Sequence, residues 1–140
     1  MTDLAWLIDR TAVVETVDRL FIETDRKRWE AVTALFAPSV AFDMTSLAGG
    51  EPAVVAREVI VEAWRVGLAP VTAVHHQSSN HVVRLDGDQA ECFCYGTATH
   101  YRPEGPQVLT TFVGSYDVRL ARVPGGWVVT AFRFTKAYVV

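Results

Sequence analysis

No stretch of this 140-residue chain is apolar for long enough to cross a bilayer, and it contains no Gly-rich phosphate loop, no G-x-S-x-G elbow and no Walker pattern. The opening residues, Met1 to Ile8, are apolar for only five positions before Asp9 and Arg10 interrupt them, and they carry no basic n-region, so no secretory signal is expected. Cysteine is scarce. Cys92 and Cys94 stand one residue apart in a strand-like stretch, a poor geometry for a disulfide, and a reduced, cytoplasmic protein is the default expectation. That pair and the four histidines raise the question of zinc, but structural sites space cysteines by two residues or more and need a second motif; no metal is expected. An excess of positive charge is also missing. The formal net charge is −3 with both signs interspersed, which gives no footprint for nucleic acid.

Apolar and aromatic residues are abundant. Half of the residues are hydrophobic, and 7 Phe, 4 Trp and 4 Tyr are ample for a core and a cavity within one domain over residues 1–140. From Asp9 to Asp25 the apolar positions Val13, Val17, Leu20, Phe21 and Thr24 recur at helical spacing, with Asp9 as the expected N-cap and residues 3–8 a short leading turn. Trp29, Val32, Leu35 and Phe36 mark a second helix that Ala37 and Pro38 stop, Val40 to Met44 alternates as a strand, and a loop of small residues follows. Glu51 and Pro52 are read as opening a third helix with Val55, Val59, Ile60, Ala63 and Trp64 on its buried stripe, ended by Gly67. Four strand-like segments, 71–85, 89–102, 107–122 and 126–139, then follow in meander spacing, with Gly96 and Gly114 inside them permitting a bend or a ligand's close approach. Helices first and strands last predict an α+β fold: a cone-shaped, strongly curved antiparallel sheet packed on three helices.

The stretch from Val74 to His81 holds three of the four histidines. As a strand it places His76, Ser78 and Asn80 on one face, with His75 and His81 on the other. Imidazole, hydroxyl and amide groups on the concave side would line a pocket, where histidine is well suited to moving protons near neutral pH.

Together, Asp25-Arg-Lys-Arg-Trp29, Leu35 to Asp43, His76-Gln-Ser-Ser-Asn80, the Leu85 to Ala90 hairpin and Gly125-Gly126-Trp127 resemble the SnoaL-like branch of the nuclear-transport-factor-2-like superfamily. The site pattern resembles its scytalone dehydratase-like lyases. The resemblance implies a conical α+β barrel and a homodimer formed through the outer sheet face, where Phe93, Tyr95 and Tyr101 would lie. It also implies catalytic roles for Asp25 at the end of the first helix, His76 on the strand after the third helix and His100 on the next strand. Ser115 matches the family's pocket Ser; Asp117 stands where the family has Asn, and Met44 where it has a substrate-contacting Tyr.

A carboxylate at a helix C-terminus faces the negative end of the macrodipole and calls for a partner, which His76 can supply. The carboxylate would fix the ring's tautomer and leave the other nitrogen free as a base, while His100 donates a proton. Tyr116, Trp64 and Phe42 would shape the pocket with Tyr95, Tyr101 and Phe112, and Arg133 and Lys136 could cover an oxyanion. Each residue also has a structural reading: a core histidine satisfied by a carbonyl, a surface ion pair for Asp25 with Arg26, Lys27 or Arg28, aromatic core, solvated charge. The sequence therefore predicts a cofactor-independent lyase or isomerase, dehydratase-like, acting on a small, mostly apolar cyclic carbonyl compound. The alternatives are an aldol cyclase, a non-catalytic small-molecule binder or accessory protein, and a dimerisation module whose cone is filled by its own side chains.

Overall fold

The computed structural model describes residues 3–140. The first helix, α1 (Leu4–Asp25), is continuous for 22 residues. Asp3 caps it in place of Asp9, its Oδ1 accepting the Trp6 N–H at 2.8 Å, so the expected leading turn is the helix's own first turn. Asp9 is engaged elsewhere: both its oxygens accept from Arg122 at 2.9 Å, and that guanidinium also bonds Asp88 and lies 4.5 Å over the Trp127 ring. Val13, Val17, Leu20, Phe21 and Thr24 form the buried stripe, as their spacing predicts.

After α2 (Trp29–Leu35) the chain enters β1 (Phe36–Asp43), four residues earlier than expected. Two further differences follow. A four-residue helix, α3 (Thr45–Ala48), occupies the expected loop, started by Asp43 Oδ1, which accepts from the Thr45 N–H at 3.0 Å and from its hydroxyl at 2.6 Å. Glu51 and Pro52 open no helix, because β2 (Ala53–Ala56), with its β-branched Val54 and Val55, pairs antiparallel with β1; α4 runs only from Arg57 to Leu68. The remaining strands are β3 (Ala73–Asp86), β4 (Gln89–Tyr101), β5 (Leu109–Val123) and β6 (Gly126–Val139).

These six strands make one open, curved sheet in the order β2-β1-β6-β5-β4-β3, packed against the helices. The pairing of β1 with β6 is parallel and the other four are antiparallel, so the expectation of a wholly antiparallel sheet needs that correction. The reason is topological: the meander starts at the far edge and returns, so β6 reaches β1 running the same way. β3 is left as an edge strand, and α1 lies along it. The core joins Val13, Val17 and Leu20 of α1 to Cys92, Cys94, Val118, Leu120 and Val129 of the sheet, each such buried side chain contributing roughly 1.5–3 kcal/mol. The two cysteines are free and buried, and burial raises their thiols to about 11 and about 12. No helix among the described residues is long and apolar enough to cross a membrane.

Two backbone features shape the inner face. A bulge between Ser79 and Val82, with Asn80 in the left-handed region at φ 58°, breaks the β3–β4 register and reverses which residues face inward. Gly96 and Gly114 make room for the protein's own rings: a Cβ on Gly96 would collide with the edge of the Tyr116 ring, and one on Gly114 would meet the Thr135 carbonyl and the Phe134 ring. Gly96→Ala is therefore expected to destabilise the protein by about 1–3 kcal/mol as the Tyr116 ring is displaced, read as a lower denaturation midpoint in urea at unchanged slope.

Candidate active site

Helix α1 ends where β3 passes beneath it, and the last helical residue, Asp25, uses both carboxylate oxygens on His76. Oδ2 accepts the His76 backbone N–H at 2.8 Å, and Oδ1 lies 2.5 Å from His76 Nδ1. A carboxylate only accepts, so Nδ1 carries a hydrogen, and in the neutral ring Nε2 then holds the free lone pair. The Phe21 ring stacks on the imidazole, with centroids 5.2 Å apart and planes 13° apart, which fixes its tilt. The side chains of Asp25 and His76 are 16% and 15% exposed, so the pair is shielded without being sealed from the cavity.

A cavity of about 240 Å³ opens beside this pair, between the helices and the inner sheet face. Its lining is mostly apolar: Phe21, Met44, Leu47, Trp64, Leu68, Ala98, Phe112, Phe132 and Phe134 surround His76, His100 and Tyr116. His100 lies against Phe112 with ring centroids 4.8 Å apart. Burial, and then the neighbouring His76, hold its pKa below the usual imidazole range. Lys27, at φ 55° just past α1, donates its Nζ to the carbonyls of Leu68 at 2.9 Å and Val71 at 2.6 Å; this ties the end of α4, which walls the cavity, to the end of α1.

His76, His100, Met44, Trp64 and Tyr116 thus line one cavity, with Asp25 behind His76 and joined to the cavity through it. Other expected site residues do not reach it. Ser115 and Asp117 point to the outer face, because Gly114, Tyr116 and Val118 are the buried positions of β5; Asp117 pairs there with Arg133 at 3.0 Å. Asn80 sits exposed in the bulge, so its placement beside His76 is also corrected. Phe42 packs behind the cavity wall against Trp64 and Phe132. Lys136 is exposed, with its backbone N–H given to the Ser46 hydroxyl at 2.9 Å.

One inward cluster went unread. Asp18 Oδ1 accepts from the Ser78 hydroxyl at 2.5 Å and lies 3.0 Å from His81 Nε2, two helical turns before Asp25 on the same face of α1. Its signal was the seven-residue spacing of the two aspartates. The bulge hid it, since strict alternation turns His81 outward.

An open, curved six-stranded sheet in this order, packed against helices, is a nuclear-transport-factor-2-like α+β fold. The chain belongs to the SnoaL-like domain family, whose model matches residues 6–133. No curated protein matches it in sequence. Among solved structures it is similar to the Kfla4162 protein of Kribbella flavida, at 26% identity and a TM-score of 0.89, over 95% of this chain and 93% of that one. A candidate scytalone dehydratase from Novosphingobium aromaticivorans matches at 16% identity and a TM-score of 0.84, over 96% and 87% of the two chains. A hexachlorocyclohexane dehydrochlorinase of type 3 from Novosphingobium barchaimii matches at 14% and 0.82, over 99% and 93%. At those last two identities the likeness is one of fold.

The depressed His100 pKa fixes a sign. Between the unfolded value near 6.5 and the lower folded value the unfolded chain binds more protons, so stability is full above about pH 6.5 and falls as the pH drops through that window. His100→Gln is expected to flatten this part of the stability profile, and the His100 ring resonances in the wild-type protein should titrate below pH 6.5 by NMR.

Proposed function

We propose that the protein is a cofactor-independent acid–base lyase or isomerase, dehydratase-like, acting on a small, mostly apolar cyclic carbonyl compound. The observation that carries this reading is the two-point grip of Asp25 on His76, which presents a free Nε2 beside an apolar cavity. His76 Nε2 removes a proton alpha to the carbonyl, and the C–H electron pair forms an enolate. Collapse of the enolate expels the beta hydroxyl, which leaves as water with the proton that His76 carries, and a conjugated carbonyl compound remains. His100, uncharged near neutral pH, serves as a hydrogen-bond donor to the departing oxygen and does not carry the transferred proton. If no hydroxyl is in place to leave, the same base returns the proton to another carbon, and the outcome is isomerisation. The family's named relatives among solved structures, a candidate dehydratase and a dehydrochlorinase, are consistent with chemistry of this class.

His76→Ala is expected to abolish turnover in a protein that still folds, at a cost of roughly 1.5–3 kcal/mol for the lost ring bond to Asp25, and Asp25→Asn to lower kcat by about 10²–10⁴-fold, measured on the compound identified by mass spectrometry of ligand carried through purification. Ligand retained by His76→Ala with no reaction to lose in the wild type would instead favour a non-catalytic binder.

We also infer a homodimer through the outer sheet face. Val54 and Val82 are 72% and 62% exposed there, and they line a trough of about 560 Å³ with Phe93, rimmed by Arg84, Glu91, Asp117, Arg119 and Arg133. Analytical ultracentrifugation should find two copies per particle, and Phe93→Arg should leave single chains.

A further inference from the structure

We propose that Tyr116 is a catalytic hydrogen-bond donor whose phenolic O–H holds the substrate's carbonyl oxygen and the enolate oxygen formed from it. The proposal rests on the acid–base reading above, and it adds the group that would stabilise the charge His76 creates.

Three observations carry it. The first is placement. Tyr116 pairs with Cys94 on β4, but its ring leans over Gly96, the residue that pairs with Ser78 of β3, two positions from His76. The ring therefore crosses β4 towards the strand that holds the base. Phe21 touches both groups, with centroids 4.8 Å from Tyr116 and 5.2 Å from His76, so the two flank the same space.

The second is the state of the hydroxyl. Among the described residues, the buried side-chain polar atoms left without a partner are Glu23 Oε2 and Arg57 Nε. The Tyr116 hydroxyl is not one of these, although no described group engages it, and Tyr116 lines the cavity, where a ligand's oxygen could take its hydrogen. Burial, reinforced by the neighbouring Cys94 and Asp25, raises its pKa well above the ordinary phenol range, so it stays a donor throughout the working pH.

The third is the rest of the cavity lining. Among the described residues no Lys or Arg lines it and His100 is held uncharged, so the one cation facing negative charge on a carbonyl oxygen is the imidazolium that His76 becomes, and Asp25 already shares that charge. A fixed O–H in an apolar wall answers that need, and removing such a donor commonly costs 10²–10³-fold in kcat. The same inventory defines the substrate class as an uncharged ring ketone or enone, because a carboxylate or phosphate would find no counter-charge.

The test compares 2-naphthol, whose oxygen can sit where the enolate oxygen would, with naphthalene, which has none. Binding of each to the wild-type protein, Tyr116→Phe and His76→Ala is followed by fluorescence, and the absorbance of bound naphthol reports its ionisation. Tyr116→Phe is expected to weaken naphthol binding on the order of 10- to 100-fold, to raise the pKa of what remains bound and to leave naphthalene within about twofold. Equal loss of both ligands, or of neither, overturns the proposal. Failure of the base assignment reads differently: turnover would survive in His76→Ala while the effect of Tyr116→Phe on naphthol persisted. Naphthalene failing to bind the wild-type protein would overturn both readings.

Discussion

The arrangement of the cavity depends on a carboxylate placed where a carboxylate is least welcome. Asp25 ends α1 at the negative pole of the helix, at a cost of about 0.3–1 kcal/mol. Two hydrogen bonds from β3 to the charged group, each worth roughly 1.5–3 kcal/mol, more than offset it. One of those bonds takes a backbone N–H on the free side of an edge strand, so the contact that orients the imidazole also holds the strand to the helix. Because strand position and ring tautomer share one anchor, the base is fixed relative to the cavity.

Much of this was legible in the sequence, and the parts that were not share a cause. Helix α1 announced itself through the spacing of Val13, Val17, Leu20 and Phe21, and the four long strands through their turns, because both patterns are local. The pairing of β1 with β6 and the existence of β2 are not local; Ala53 to Ala56 becomes a strand only because β1 offers it an edge. The positions that family likeness singled out at His76, His100 and Met44 lie around one cavity, with Asp25 bonded to His76. The likeness failed for Ser115 and Asp117, where a shift of a single position on a strand exchanges inside for outside. Gly114 and Tyr116 hold the inward positions that the likeness assigned to their neighbours.

Aromatic residues on the sheet floor set the character of the hollow. Tyr116 lies against Phe21, Phe132 and Phe134, at centroid distances of 4.8, 5.4 and 4.9 Å. These tilted contacts prefer offset geometries, and they leave a rigid floor that a ligand meets already formed. Gly96 and Gly114 are what allow it. The floor is thus bought with two missing side chains, and its shape is specified as much by glycine as by the rings themselves.

The bulge at Asn80 has a consequence of another kind. Upstream of it the even-numbered residues of β3 face the helix, and downstream the odd-numbered ones do, so His76 and Ser78 obey one parity while His81, Val83 and Leu85 obey the other. The strand is in effect two short strands spliced out of phase, one belonging to the cavity and one to the hydrophobic interior. Flattening the bulge at unchanged length would bring the halves back into step and drive Val83 and Leu85 into water while Arg84 turned inward, whereas removing the extra residue would straighten the strand and keep both of them inside. At its present length the strand keeps both faces only while the left-handed residue at Asn80 holds the extra residue out of the ladder.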